Sequence, residues 1–301
     1  MLVFATSDKG GTGRSVTTSN VAYQSALAGN DVCYLDFDFG SPTAGAVFDV
    51  DTGKLLVEGG GLHSYLLGTV ADPHRCDVFA DSERLSMRER PLGAGRLTLL
   101  PGDSGGGEFP SSPEMIRRCR ELLGRLNEEF DVVFVDLSAG RSYALHMALA
   151  AVADMRPPPT VRWLVYHRWT QQHIQAAGGL VHGEHGILET GIELGHDRER
   201  LLGQLRFVRT AMVSPAAQGL TAEQAAWVKD WNGDLQNLAR ERGAGALYLL
   251  GSVPLDPVLQ WREQLITNHD LTVSRIANRA TADAFAELAE LIVDDDVWDQ
   301  R

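Results

Sequence analysis

The chain has 301 residues, 44% of them hydrophobic, enough for a sizeable core in one large α/β domain or two smaller ones. Its formal net charge of −13 disfavours partners held mainly through phosphate contacts, such as non-specific DNA or an anionic membrane. No apolar run approaches the roughly 20 residues that cross a bilayer, no basic-then-apolar leader opens the chain, and the three scattered cysteines (Cys33, Cys76, Cys119) fit a reducing cytoplasm better than a disulfide framework.

In chain order, Leu2–Thr6 reads as an apolar strand, and Arg14–Ala28 as a helix stopped by Gly29-Asn30. Val32–Leu35 is a second strand ending at Asp36. Residues 41–95 are irregular and rich in glycine and charge, a stretch expected to be mobile, with a short helix at Leu62–Leu67. Arg96–Pro101 is a strand and 102–113 a loop. Glu114–Glu129 places Met115, Cys119, Leu122, Leu123 and Leu126 at helical spacing. Asp131–Val135 is a buried strand ending at Asp136, followed by a helix at Ser142–Ala153 and a proline-rigid connector at Arg156–Pro159. Val161–Tyr166 (strand), Thr170–Val181 (helix) and Leu202–Val208 (strand) continue the alternation. Thr221 caps a long helix that ends before Gly243. Leu247–Leu250 is a strand, and Ser274–Val293 an amphipathic helix with Ile276, Ala280, Ala284, Leu288 and Ile292 on one side. No internal repeat interrupts the series. The alternation predicts an α/β fold, a mostly parallel sheet with helices on both faces, and a single domain over 1–301.

The chemistry concentrates at Lys9-Gly10-Gly11-Thr12-Gly13-Arg14-Ser15, between the first strand and the first helix. Glycines let backbone wrap an anion, since side chains there would block the approach and forbid positive φ. The helix behind the loop offers unpaired N–H groups and a favourable dipole. Asp36 and Asp38 end the second strand, Asp136 ends the Asp131–Val135 strand, and Ser15 offers a hydroxyl that can ligate Mg²⁺. In a parallel sheet these strand ends converge on one edge, where ligands bind.

With these residues in view, the chain resembles the ParA/MinD group of P-loop ATPases over nearly its whole length. The deviant loop of that group matches at Lys9, Gly10, Gly11, Gly13 and Ser15, and its Asp-x-Asp segment at Asp36 and Asp38. The Walker B strand matches at Phe130–Asp136, and Gly251–Asp256 is similar to the family's late Gly-x-x-Pro-x-Asp stretch beside adenine. The resemblance implies a P-loop NTPase fold that binds ATP or ADP through Gly10, Gly11, Thr12, Gly13, Arg14, Ser15, Val16, Pro254 and Asp256. It implies Mg²⁺ held by Ser15, Asp36 and Asp136, an attacking water positioned by Asp38, and Lys9 reaching the partner's phosphates in a nucleotide-dependent homodimer. Catalysis would then rest on Lys9, Asp38 and Arg14, with an unidentified protein partner regulating positioning or partitioning.

Two departures stand out. Arg14 replaces the family's phosphate-touching lysine; its planar fork could hold phosphate oxygens, or misplace them and slow hydrolysis. A nucleotide-binding regulator or scaffold with little turnover is therefore the alternative reading. No asparagine occurs in Leu205–Val208 to read adenine, which leaves adenine against guanine open. A small-molecule ligase or kinase of related fold would need an acceptor pocket, which no residue of 41–95 defines.

Other signals take the plainer reading. His167, His173, His182 and His185 read as a surface cluster rather than a metal site. No cysteine follows Asp136 closely enough for a nitrogenase-iron-protein-like cluster. Arg117, Arg118, Arg120 and Arg125 read as a solvated, internally paired face. Trp227 and Trp231 read as core or partner contacts rather than a base-stacking platform. Asp283, Glu287, Glu290 and Asp294–Asp296 give the last helix an acidic face, unlike the basic face of a MinD-like membrane anchor.

Overall fold

A computed structural model describes residues 1–55, 60–88, 90–103, 107–217 and 219–299. The strands are β1 (Leu2–Thr6), β2 (Val32–Phe37), β3 (Cys76–Asp77), β4 (Leu97–Leu100), β5 (Val132–Leu137), β6 (Val161–Arg168), β7 (Leu205–Met212) and β8 (Leu249–Pro254). They form one sheet in the order β3-β4-β2-β5-β1-β6-β7-β8. Every pairing is parallel except the two-residue β3–β4 edge.

Side chains alternate across the sheet as a two-residue period requires. Leu2, Phe4, Leu35, Val133 and Val135 pack under the helices Pro113–Glu129, Tyr143–Ala153 and Gln171–His182. Val3, Ala5, Tyr34 and Phe134 face the helices Arg14–Leu27 and Arg279–Val293. Phe285 and Leu288 are fully buried in that second layer, each stabilising by roughly 1.5–3 kcal/mol relative to exposure. Both faces of the sheet are therefore covered, and the carboxyl ends of β1, β2, β5, β6 and β7 meet at one edge.

The long helices start where the sequence places caps. Thr221 and Gln224 form a reciprocal capping box at the Ala222–Glu241 helix. Ser142 and Ser112 cap the helices beginning at Tyr143 and Pro113.

Several expectations are corrected. Leu202 lies in a short helix, Arg198–Gly203, and β7 begins at Leu205. Leu247 lies in a 3₁₀ turn, and β8 runs through the Gly251–Pro254 segment itself. The last long helix starts at Arg279, with Ile276 and Ala280 exposed and Thr281, Phe285, Leu288 and Ile292 forming the buried stripe. A further helix, absent from the expected series, occupies Ile187–Glu193. Stretch 41–95 holds short helices at Ala44–Phe48, Leu62–Leu66 and Val78–Asp81, with Phe48, Tyr65, Leu66 and Phe79 buried. Residues 56–59 and 89 of that stretch, and 104–106 of the 102–113 loop, lie outside the described residues.

At the opposite edge of the sheet, Arg162 on β6 and Arg206 on β7 are almost completely buried. Both guanidiniums lie over the Trp298 ring, 4.7 and 4.9 Å from its centroid. Arg162 donates to the Ile292 carbonyl and pairs with Asp295 at 2.5 Å. Arg206 donates to the carbonyls of Gly203, Leu205, Val297 and Trp298 at 2.9–3.2 Å. Cation–π contact and backbone acceptors thus hold the last turn, Asp295–Asp299, against the sheet.

Candidate functional site

Residues 7–13 leave β1 as a turn and enter the Arg14–Leu27 helix through Gly13. Gly11 and Gly13 have φ of +70° and +78°, the left-handed region where a Cβ would be strained. No side chain caps this helix start, so its first-turn N–H groups face the loop without intrahelical acceptors. The loop is tied from three sides. The Ser7 carbonyl accepts from Gly140 N at 2.7 Å. Asp8 pairs with Arg141 at 3.1 Å. The Thr12 carbonyl accepts from Thr210 Oγ1 at 2.5 Å, from the end of β7. Lys9 is half-exposed and has no ion-pair partner among the described residues.

Beside the loop opens a cavity of about 520 Å³ lined by Gly11, Thr12, Gly13, Val16 and Thr17 on one side. Val253, Pro254, Asp256, Leu259 and Trp261 line its far wall, and Arg168 and Thr210 its floor at the ends of β6 and β7. Trp261 is 82% exposed although it borders this cavity. The structure thus brings Pro254 and Asp256 to the cavity that the loop borders. Asp256 is also structural, since its carboxylate accepts from Val258 N (3.1 Å) and Asn278 N (2.9 Å) and so joins two helix starts. Sequence reasoning misses Arg168, Thr210 and Trp261; the first two are signalled only by their position near a strand end, and Trp261 by nothing local.

The carboxylates lie on the other side of the loop. The β2–β5 register sets Asp36 directly across from Asp136. Asp36 is 1% exposed, and its oxygens accept from Ala44 N (2.9 Å) and Asp38 N (3.2 Å). Asp136 is equally buried, and its second oxygen accepts from the Tyr34 hydroxyl at 2.9 Å. Arg14, 5% exposed, bridges Asp136 and Asp38. Its Nε donates to Asp136 Oδ1 at 2.5 Å and its Nη2 to Asp38 Oδ2 at 2.7 Å. Nη2 also lies 3.3 Å from Ser15 Oγ, and Nη1 3.4 Å from Ser7 Oγ. Arg14 therefore turns into the acidic cluster and does not line the cavity. Burial acts to lower its pKa, but the Asp136 and Asp38 charges outweigh it and raise the value.

Burial and then the Asp136 charge push the Asp36 carboxyl up from 3.8 to about 7, against the hydrogen bond from Ala44. The folded chain then holds a proton that the unfolded chain loses near pH 4. Its stability contribution is full below that pH, falls as pH rises to about 7, and is flat above. Urea midpoints at about pH 5 and about pH 8 are expected to drop more for the wild type than for Asp36→Asn. Equal drops would mean that Asp36 is already ionised at the lower pH.

Family resemblance implies Mg²⁺ held by Ser15, Asp36 and Asp136. The donor chemistry is right for a hard cation, but the arrangement is not. Both Asp36 oxygens are taken by backbone N–H groups, and both Asp136 oxygens by Arg14 and Tyr34. Among the described residues no three His, Cys, Asp or Glu side chains converge as a metal-holding group. As arranged, these residues do not fit the ion.

The remaining signals resolve simply. Each of the four arginines on the Pro113–Glu129 helix is engaged: Arg117 with Glu114 and Glu121, Arg120 with Asp154, Arg125 with Asp72, Arg118 with the Tyr65 and Val70 carbonyls. Trp227 and Trp231 stack on each other at 6.0 Å, with Trp227 64% exposed. Burial lowers His167 to about 4, so it is neutral near pH 7. No helix among the described residues is long and apolar enough to cross a membrane.

No family model matches this chain. No curated protein matches its sequence. Solved structures do resemble it. MinD in the MinC:MinD cell division complex of Aquifex aeolicus is 16% identical over 97% of this chain and 95% of that one, with a TM-score of 0.58. The septum site-determining protein MinD of Pyrococcus horikoshii, complexed with Mg-ADP, is 17% identical over 97% and 96%, at 0.55. A plasmid partition protein of Borrelia burgdorferi bound to AMPPNP is 13% identical over 97% of both chains, at 0.59. The chain accordingly shares the fold of these MinD and plasmid partition proteins.

Proposed function

We propose that the chain is a cytoplasmic nucleotide-binding switch built as one ParA/MinD-like domain, which takes ATP at the Gly10–Val16 loop and turns it over slowly. One observation carries this reading. Two left-handed glycines wrap an uncapped helix start, and a cavity of about 520 Å³ opens beside it. An uncapped helix start attracts phosphate oxygens through its N–H groups and dipole. The cavity beyond has room for a nucleoside, with Pro254 and Leu259 as apolar walls. The solved structures with Mg-ADP and AMPPNP point the same way.

Lys9 is half-exposed at the loop's rim, without an ion-pair partner among the described residues, which suits a cation offered to a second subunit's phosphates. ATP would then close two copies, and the closed pair would bind a protein partner differently from the open one, as positioning and partitioning require. The Arg14 position favours the low-turnover form of this switch. Its fork holds Asp136 and Asp38, the carboxylate expected to orient the attacking water.

Trp261 gives the reading a sharp test. An exposed ring on the cavity wall suits a base face, and one base–aromatic stack is worth about 1–3 kcal/mol. Calorimetry is expected to show ATP and inorganic triphosphate both binding, ATP more tightly. Trp261→Ala should weaken ATP by about tenfold and leave triphosphate unchanged. With a non-hydrolysable ATP analogue, light scattering should show the mass double. Uptake of neither ligand would sink the nucleotide reading, and a monomer in every nucleotide state would sink the closed pair.

A further inference from the structure

We propose that Arg14 is the resident cation of the acidic cluster, and that it keeps divalent metal out. A cation bridging the Ser15 hydroxyl and the carboxylates must sit among them, at about 2.0–2.1 Å from each ligand oxygen for Mg²⁺. Nη2 of Arg14 already occupies that place, 2.7 Å from Asp38 Oδ2 and 3.3 Å from Ser15 Oγ. Nε of the same guanidinium takes Asp136 at 2.5 Å.

The carboxylates are also closed from behind. Tyr34 donates to the other oxygen of Asp136, and the backbone N–H groups of Ala44 and Asp38 donate one hydrogen bond to each oxygen of Asp36. Asp38, with its side chain 22% exposed, alone keeps an oxygen that no side chain or backbone group contacts among the described residues. That remainder offers a divalent ion few protein oxygens, in competition with a guanidinium already in place. The chemistry of arginine makes the arrangement durable. Its fork contacts two carboxylates at once and stays charged, whereas a lysine would present one mobile point charge. Buried at 5% exposure, the guanidinium leaves these carboxylates only at the cost of desolvated, unpaired charge.

The nucleotide would accordingly be held by the loop's N–H groups, with the acidic cluster already neutralised from within. This second consequence rests on the nucleotide reading above; the exclusion of metal does not.

Mn²⁺ is the probe for the first part, titrated into nucleotide-free protein and followed by the free-ion electron paramagnetic resonance signal. Wild type is expected to leave the signal unchanged. Arg14→Ala, which uncovers the carboxylates, is expected to bind Mn²⁺ at least about tenfold more tightly. Arg14→Lys supplies the same comparison should the alanine variant fail to fold. Wild type that binds Mn²⁺ within about threefold of the variants overturns the proposal. The second part is read by calorimetry of ATP in Mg²⁺ and in EDTA. Wild-type affinity should differ by less than about threefold between the two, whereas Arg14→Lys should lose about tenfold in EDTA. A wild-type loss of about tenfold overturns metal-independent binding. If ATP binds in neither buffer, the nucleotide reading fails, and the Mn²⁺ titration still decides the place of Arg14.

Discussion

Asp136→Ala is expected to cost the fold about 3–5 kcal/mol and to lower the melting temperature by roughly 10 °C for a domain of this size. The reason is asymmetry. A buried ion pair contributes little net stability, but deleting one partner strands the other in low dielectric. Arg14 and Asp136 are 5% and 1% exposed, with Nε and Oδ1 2.5 Å apart. Asp38 would retain part of the guanidinium at 2.7 Å, but Tyr34 would also lose the acceptor for its buried hydroxyl. Replacing both partners by apolar groups, Arg14→Met with Asp136→Leu, should recover much of the loss. Urea unfolding of the wild type, Asp136→Ala and the double variant reads both the loss and its recovery. A single-variant loss under about 1 kcal/mol would mean that the pair behaves like a solvated one.

Arg14→Lys is expected to raise steady-state ATP turnover by about tenfold or more, equivalent to about 1.4 kcal/mol of barrier. In the wild type the fork holds Asp38 and turns away from the cavity beside Gly11 and Gly13. A lysine makes a single-point contact on a flexible stem, so it can leave the carboxylates for a phosphate and free Asp38 to orient water. Phosphate release, measured with Asp38→Ala as the blank, reads the change. Wild-type turnover equal to that of the lysine variant would remove the argument that Arg14 slows the switch.

Much of this arrangement is legible in the chain itself. Apolar runs ending in aspartate mark β2 and β5, and an adjacent parallel pairing then brings Asp36 and Asp136 to one level. Glycine spacing marks the loop, because only a residue without Cβ sits easily at φ of +70° and +78°. Thr221 with Gln224 announces its helix through local hydrogen bonds alone.

What stays hidden depends on tertiary direction. The sequence places Arg14 at the loop's edge, but nothing in it tells whether the fork points at phosphate or at carboxylate. That choice is set by Asp136 arriving from 122 residues away. Asp256 reads as a ligand-side residue, although much of its capacity goes to capping two helix starts. Leu202 extends an apolar run that looks like strand, yet Asp197 caps a helical turn just before it. Ile276 fits the periodicity of the last helix, yet the backbone turns there and leaves it 52% exposed. Trp261 carries no local mark of its position, since its wall of the cavity exists only once β8 is docked beside β7.

The ring held by Arg162 and Arg206 gives the chain an optical property. Trp298 is clamped at the sheet edge away from the phosphate loop, while Trp261 stands open to solvent beside that loop. Acrylamide reaches an open indole more readily than a part-buried, clamped one. Trp227 is open as well, at 64% exposure, so cavity occupancy is read in the part of the quenching that Trp261→Ala removes. The difference between wild type and Trp261→Ala thus separates a ligand that fills the cavity from one that merely stabilises or unfolds the molecule.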